Sequence, residues 1–214
     1  MKVIGMVPAR LGSSRLKKKN LLKIKDKSLV SLCLDKCLKS KCFSEVVLNT
    51  ESEEIARQAP SGVRIYLRDE KHANDKATSE DFIRDFLSNN KCDYLFQIHT
   101  IAPLLSARDI EDFVYKFIES EKQVGLCYEK IILETTDEEE NPINFSFKNK
   151  QNSQELKSLK KINWCMTGWR AEDILKEECL SFGTERYFHE VPKLTGFVIK
   201  TMQDYAICKN IMEK

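Results

Sequence analysis

The chain has 214 residues, 42% of them hydrophobic and 32% charged, the balance of a soluble globular protein long enough to bury a sheet-and-helix core. Its 35 basic and 33 acidic side chains leave a formal net charge of +2, so no global field argues for nucleic acid or an anionic membrane as partner. Residues 1–7 are too short an apolar run for a signal-peptide core or a membrane span, and no later stretch reaches membrane length, so a cytoplasmic location is expected.

Residues 1–7 stop abruptly at Pro8 and read as a buried strand. Residues 9–20 form a loop rich in small and basic side chains. Residues 28–39 place Leu29, Leu32, Cys33 and Cys37 at helical spacing. The eight cysteines are scattered and form no CxxC pair. Cys33 and Cys37 therefore read as buried small side chains rather than half a metal site, with reduced thiols as the default. Residues 45–50 are a second strand. Residues 52–59 are a short helix with Ser52 as cap and Glu53 and Glu54 at its positive end. Residues 63–67 are a third strand, 79–87 a capped amphipathic helix, 93–98 a fourth strand and 107–119 a further helix.

This alternation predicts an α/β fold, a mostly parallel twisted sheet with helices on both faces. In such sheets ligands bind beyond the carboxyl ends of the strands, which directs attention to the loops after the first, third and fourth. Residues 134–161 are polar, acidic first and lysine-rich later, and read as an excursion, a lid or an arm. Residues 162–169 and 194–199 read as two more strands, followed by a C-terminal helix from Met202. No internal repeat is present, and residues 1–214 are taken as one domain.

The loop after the first strand carries the chemistry. A triphosphate needs close backbone N–H groups, fixed positive charge and a rigid base. Gly12, Ser13 and Ser14 offer the close approach, and the buried strand offers the base. Arg10 and Arg15 suit forked phosphate contacts, and Lys19 acts as a point charge.

Residues 8–20 resemble the signature of the CMP-sugar synthetases, which activate N-acylneuraminate and related acids, and of CMP-Kdo synthetase. Their pattern is P-A-R-x-x-S-x-R-x-x-x-K-N after a strand. Pro8, Ala9, Arg10, Ser13, Arg15, Lys19 and Asn20 fall on it in register, while Lys17 stands where a proline is usual. The stretch is more loosely similar to the spore-coat polysaccharide nucleotidyltransferases, through A-R-x-G-S-x-R-L. Residues 47–56 resemble the family's V-V-S-T-D-S-E-E-I-A step. Arg68, Ala73, Asp75, Ala77, Ser79 and Asp81 match R-P-x-E-L-A-x-D-x-A-x-S-x-D. Residues 96–104 resemble L-Q-P-T-S-P-L with two extra residues, so that either Gln97 or His99 takes the nucleotide contact, Gln97 being favoured. The likeness covers about the first half of the chain and is faint beyond Ile162.

The resemblance implies a nucleotide-diphospho-sugar transferase-like, Rossmann-like fold and a CTP-dependent cytidylyltransferase. CMP would pass to a carboxylated sugar of the nonulosonic or Kdo kind, with release of pyrophosphate, for surface glycans. A phosphorylated sugar, polyol or other small phosphate is the alternative acceptor. It implies that Ala9, Arg10, Leu11, Gly12, Ser13, Arg15, Lys19 and Asn20 hold the phosphates and part of the nucleoside, with Arg10 and Lys19 catalytic. Arg68, Ser79 and Gln97 would line the cytidine. From the residues alone, Ser79 is equally a helix cap, Arg68 equally a surface partner of Asp75 or Asp81, and His72 a surface residue. A homodimer is implied through the 134–161 excursion. Mg²⁺ is implied as well, yet the family's I-D-I-D-T-x-x-D run is here residues 197–204, where Val198 and Lys200 replace both acids and Asp204 alone remains. Either Lys200 takes over part of the metal's charge, or phosphates and water hold the metal, or the chain binds nucleotide without catalysis.

Overall fold

In the computed structural model, residues 1–13, 16–74, 76–149, 152–176, 183 and 185–214 are described. β1 (Val3–Pro8) feeds two apolar layers, Val3 and Val7 into one and Ile4 and Met6 into the other. The basic loop leads to a small antiparallel hairpin of β2 (Lys23–Ile24) and β3 (Lys27–Ser28). Ser28 then caps α1 (Leu29–Ser40), accepting from the Ser31 N–H, and buries Cys33 and Cys37 as expected. β4 (Glu45–Thr50) follows, then α2 (Glu53–Ala56) with Ser52 as its cap, shorter than the 52–59 expected.

After β5 (Val63–Leu67) comes α3 (Ser79–Asn89). Its cap is Thr78, not Ser79: Thr78 and Asp81 exchange side-chain and backbone bonds in a capping box, which leaves Ser79 at the first helical position. β6 (Tyr94–Ile98) and α4 (Ala107–Glu119) stand where the sequence places them. β7 (Val124–Ile131), α5 (Ala171–Lys176) and β9 (Arg186–Glu190) are additions to the sequence reading, and β8 (Leu159–Arg170) starts three residues early.

The strands form one sheet in the order β5-β4-β1-β6-β8-β7-β9. β5, β4, β1 and β6 are parallel; β8 runs antiparallel to β6 and β7, and β9 is parallel to β7. The α/β class and the mostly parallel sheet are thus as expected. α1 and α4 cover one face, α3 and α5 the other. Gly125 and Gly168 pair across β7 and β8 beneath Phe117, and a Cβ at either would sit 2.8 Å from that ring. The missing side chains make room for Phe117, whose ring meets Phe96 edge-on.

The strand expected over residues 194–199 does not form. Pro192 supplies no donor, its carbonyl closes a turn with the Gly196 N–H (2.9 Å), and β9 already borders β7. Only the Ile199 N–H reaches across, to the Ile101 carbonyl at 2.7 Å. α6 (Met202–Glu213) then packs on the β2–β3 hairpin. Its Cys208 is buried with Leu16, Ile24 and Leu29, the Tyr205 hydroxyl donates to the Lys23 carbonyl, and Glu213 accepts from the Lys25 N–H at 3.3 Å.

Among the described residues between β7 and β8, the excursion holds an isolated bridge between Thr136 and Pro142 and a short helical turn, Ser153–Glu155. Asn144 ties its ends: the amide donates to the Leu133 and Lys157 carbonyls (2.9 and 3.0 Å) and accepts from the Thr135 N–H. Ile132, Leu133, Ile143 and Phe147 remain exposed. Among the described residues, no helix is long and apolar enough to cross a membrane.

Candidate nucleotide site

The carboxyl ends of β1, β5 and β6 open onto one cleft of about 220 Å³. Arg10, Gly12, Ser13, Lys19 and Asn20 reach it from the first loop, Arg68 from the end of β5, Ser79 from α3 and Gln97 from β6. His99 lines it too, so both readings of the β6 end converge on the same space. Ala9 and Leu11 do not line the cleft: Ala9 is buried with its N–H donating to the Asn49 carbonyl at 3.0 Å, and the Leu11 N–H donates to Glu51. Ser14 and Arg15 lie outside the described residues.

The loop is held by its own side chains and by those of Glu51 and Thr100. Asn20 is buried; its amide donates to the Arg10 carbonyl (2.8 Å) and accepts from the Thr100 hydroxyl (2.6 Å). Lys18 adopts a left-handed turn (φ 50°) that lifts the chain into the short helical turn Lys19–Leu21. Glu51, just past β4, accepts from the Leu11 N–H at 2.7 Å and from Arg68 at 3.3 Å, bracing the loop after β1 against the opposite wall. Arg10 donates to the Ala73 and Asn74 carbonyls (3.2 and 3.1 Å). Around Gly12 a Cβ would meet nothing within 4 Å, which is open space for a ligand oxygen.

Arg68 is not a surface partner of Asp75 or Asp81. Its side chain is only 3% exposed and pairs with Glu51; the Asp81 carboxylate is engaged by Thr78, and Asp75 lies outside the described residues. The guanidinium lies 5.0 Å from the Phe82 ring, and its Nε and Nη1 find no partner among the described residues. Burial pushes its pKa down while Glu51 holds it up, so the charge stays in place beside two donors ready for a ligand. His72 is half-buried, 3.8 Å from Asp85, rather than fully on the surface. Glu51 and Thr100 were not singled out from the sequence. An acid directly after a buried strand, in the step that resembles T-D-S, was the available signal for Glu51.

A second cleft, of about 410 Å³, adjoins the first and shares Ser79, Gln97 and His99 with it. Its far wall is β8, where Thr167 lies beside Gln97 in register. There the β7–β8 ladder breaks: pairing passes from Leu126–Thr167 to Tyr128–Ile162, so Cys127 alone faces residues 163–166. This bulge puts Trp164 in a left-handed conformation (φ 56°) and turns it toward the cleft. Burial pushes His99 down to about 4, with the Lys19 ammonium as the lesser cause, so its imidazole is neutral at pH 7.

The described residues do not fit a protein-held divalent ion. Val198 and Lys200 stand at the acid positions of the C-terminal motif, and the Asp204 carboxylate caps α6, accepting from the Lys200 and Thr201 N–H groups and the Thr201 hydroxyl. The described residues contain no group of three or more His, Cys, Asp or Glu able to hold a metal.

A Rossmann-like sheet with a basic cleft at its strand ends places this chain among the α/β proteins that open their ligand sites at the carboxyl ends of parallel strands. A family model described as cytidylyltransferase matches residues 4–167, and the chain belongs to that family. It is 41% identical over 88 residues to an N-acylneuraminate cytidylyltransferase of Escherichia coli O18:K1:H7, covering 41% of this chain and 21% of that protein. It is 31% identical over 123 residues to a 3-deoxy-manno-octulosonate cytidylyltransferase of Bdellovibrio bacteriovorus, covering 57% and 48%. It is 30% identical over 130 residues to a pseudaminic acid cytidylyltransferase of Campylobacter jejuni, covering 58% and 56%. The chain thus spans from a fifth to just over half the length of these relatives. Among solved structures it resembles CMP:2-keto-3-deoxy-manno-octonic acid synthetase complexed with CTP, at a TM-score of 0.77 and 18% identity, covering 100% of this chain and 99% of the other.

Proposed function

We propose that the chain transfers CMP from CTP to a carboxylated sugar of the nonulosonic or Kdo kind, releasing pyrophosphate. The observation that carries this reading is the convergence of Arg10, Lys19 and Arg68 on one cleft of a cytidylyltransferase-family sheet. An acceptor hydroxyl oxygen attacks the α-phosphorus, an O–P bond forms, the bond to the β-phosphate oxygen breaks, and the hydroxyl proton passes to solvent. Lys19 and Arg10 sit where charge on the departing pyrophosphate needs offsetting, and Arg68 offers its two unpartnered N–H groups to the nucleoside side. CTP and the sugar are the proposed ligands, in the cytoplasm, where CTP is made.

Mg²⁺ is proposed as a companion of the triphosphate, held by phosphate oxygens and water. Lys200 lines a separate cavity of about 200 Å³ with Glu129 and Asp204, one residue from the Ile199–Ile101 contact at the edge of the nucleotide cleft. A homodimer through the excursion is proposed from its exposed Ile132, Leu133, Ile143 and Phe147.

Incubation with CTP, Mg²⁺ and N-acetylneuraminate, pseudaminic acid or 3-deoxy-manno-octulosonate, scored for pyrophosphate, tests the transfer. Release with at least one sugar is expected. Tight CTP binding without release from any sugar would favour the second reading, a nucleotide-binding homologue without catalysis, which the lost acid pair supports. Release that persists in chelator would show that cationic side chains suffice.

A further inference from the structure

The cavity that Lys200 lines, of about 200 Å³, shares no lining residue with either cleft among the described residues. Glu129 and Lys161 reach it from β7 and β8, Asn163 from the β8 bulge, and Gly196, Lys200 and Asp204 from the segment leading into α6 and its first turn. Asn163 is 5% exposed. Its amide oxygen accepts from the Cys165 N–H at 3.2 Å, which fixes the orientation of the group, and its Nδ2 then finds no hydrogen-bond partner among the described residues. Gly196 stands over that amide: a Cβ there would lie 2.6 Å from Nδ2, so the missing side chain is what leaves the donor open. A buried donor without an acceptor is costly, and its retention points to a ligand that supplies one.

The two acids on the wall are already engaged. Glu129 accepts from Lys161 at 3.1 Å, and the Asp204 carboxylate is taken up by the cap of α6. The Lys200 ammonium makes no hydrogen bond or ion pair among the described residues, so one cation and one amide N–H are left to a ligand. A cationic ligand would meet Lys161 and Lys200, and an apolar one would leave the Asn163 N–H unmet. A planar carboxylate is best matched by a forked guanidinium, and no arginine lines this cavity among the described residues. The tetrahedral oxygens of a phosphate group suit separate point donors, here one from β8 and one from the segment before α6. We infer that this cavity is a phosphate-binding site apart from the nucleotide cleft, in which Lys200 and the Asn163 Nδ2 hold one phosphoryl group. Inorganic phosphate and pyrophosphate both carry that group, and only pyrophosphate, as a product, rests on the transfer reading above. The site's chain neighbours reach both clefts: Trp164 lines the second, and the Ile199 N–H bonds Ile101, which lines the first.

The test is calorimetric titration of the whole chain, saturated with CDP to occupy the first cleft, with inorganic phosphate and with pyrophosphate at constant ionic strength. Saturable binding of at least one anion is expected, with a Kd of about 1 mM or tighter. Lys200→Met, a change at an exposed residue, is expected to weaken that binding about tenfold, and Lys200→Arg to restore most of it. Asn163→Asp keeps the acceptor for the Cys165 N–H and puts a negative oxygen in place of the donor, so it is expected to abolish binding. The inference is overturned if neither anion binds saturably, or if Lys200→Met leaves the affinity unchanged. Binding that Lys200→Met weakens, in a chain that releases no pyrophosphate with any sugar, would support the site and strike only the transfer reading, so the two fail separately.

Discussion

At the scale of single residues, the cleft depends on charges that the ligand meets and on groups that hold those charges in place. Lys19→Ala removes a cation lining the cleft proposed for the triphosphate and should lower turnover at least about a hundredfold, read as initial pyrophosphate release at saturating CTP. An unchanged rate would remove Lys19 from the site. Glu51 acts differently, since it touches the Leu11 N–H and Arg68 rather than open space. Glu51→Ala should raise KM for CTP about tenfold with a smaller change in kcat, and Glu51→Gln should restore part of the loss. His99 gives a pH signature. Its folded pKa of about 4 lies below the ordinary value of 6.5, so in that interval the unfolded chain binds more protons. Stability should therefore fall as pH drops from about 6.5 to about 4, and His99→Asn should flatten part of that fall in calorimetric Tm; His189, also pushed down by burial, keeps the remainder. The polar groups of the loop were legible because small and basic residues follow a buried strand. Glu51 and Thr100 were not, because their roles come from crossing between loops 40 and 80 positions away in sequence.

At the scale of elements, the parallel half of the sheet announced itself through short apolar runs separated by capped helices. The antiparallel half did not. β7 begins Val-Gly-Leu-Cys and carries Glu129 and Lys130 side by side before Ile131, β8 carries a bulge, and each therefore lacks a clean period. Helix α3 was placed correctly but its cap was displaced by one, since Thr78 and Ser79 both suit the position and only Thr78 has Asp81 three residues on. Gly168 is explained only by its neighbours: Gly168→Ala would drive a Cβ within 2.8 Å of Phe117 and Phe96. The expected cost is about 1–3 kcal/mol, seen as a Tm lower by about 3–10 °C. Unaltered melting would mean that the aromatic cluster shifts freely to admit a methyl group.

At the scale of the whole molecule, two adjoining clefts lie over different parts of the sheet, the first at the ends of β1, β5 and β6 and the second against β8, with β6 shared. The exposed apolar side chains of the excursion are the surface on which the proposed dimer rests. Sedimentation should show a dimer, and Phe147→Ser with Ile143→Ser should shift it to monomer while the far-ultraviolet dichroism stays constant. A monomeric parent chain would leave that surface to another role. The polar composition of residues 134–161 marked the excursion in the sequence, but its exposed Ile132, Leu133, Ile143 and Phe147 stand out only once the fold shows which apolar side chains are left uncovered.

The contact between α6 and the β2–β3 hairpin bears on the order of events at the ribosome. The hairpin continues directly from the phosphate loop, yet the helix that clamps it is translated some 180 residues later. A nascent chain can complete β1 and expose Arg10 and Lys19 long before their scaffold is anchored. Nucleotide affinity should therefore arrive late in synthesis. A chain stopped at residue 200 should bind CTP more weakly than one carrying α6, although both contain every side chain that lines the nucleotide cleft.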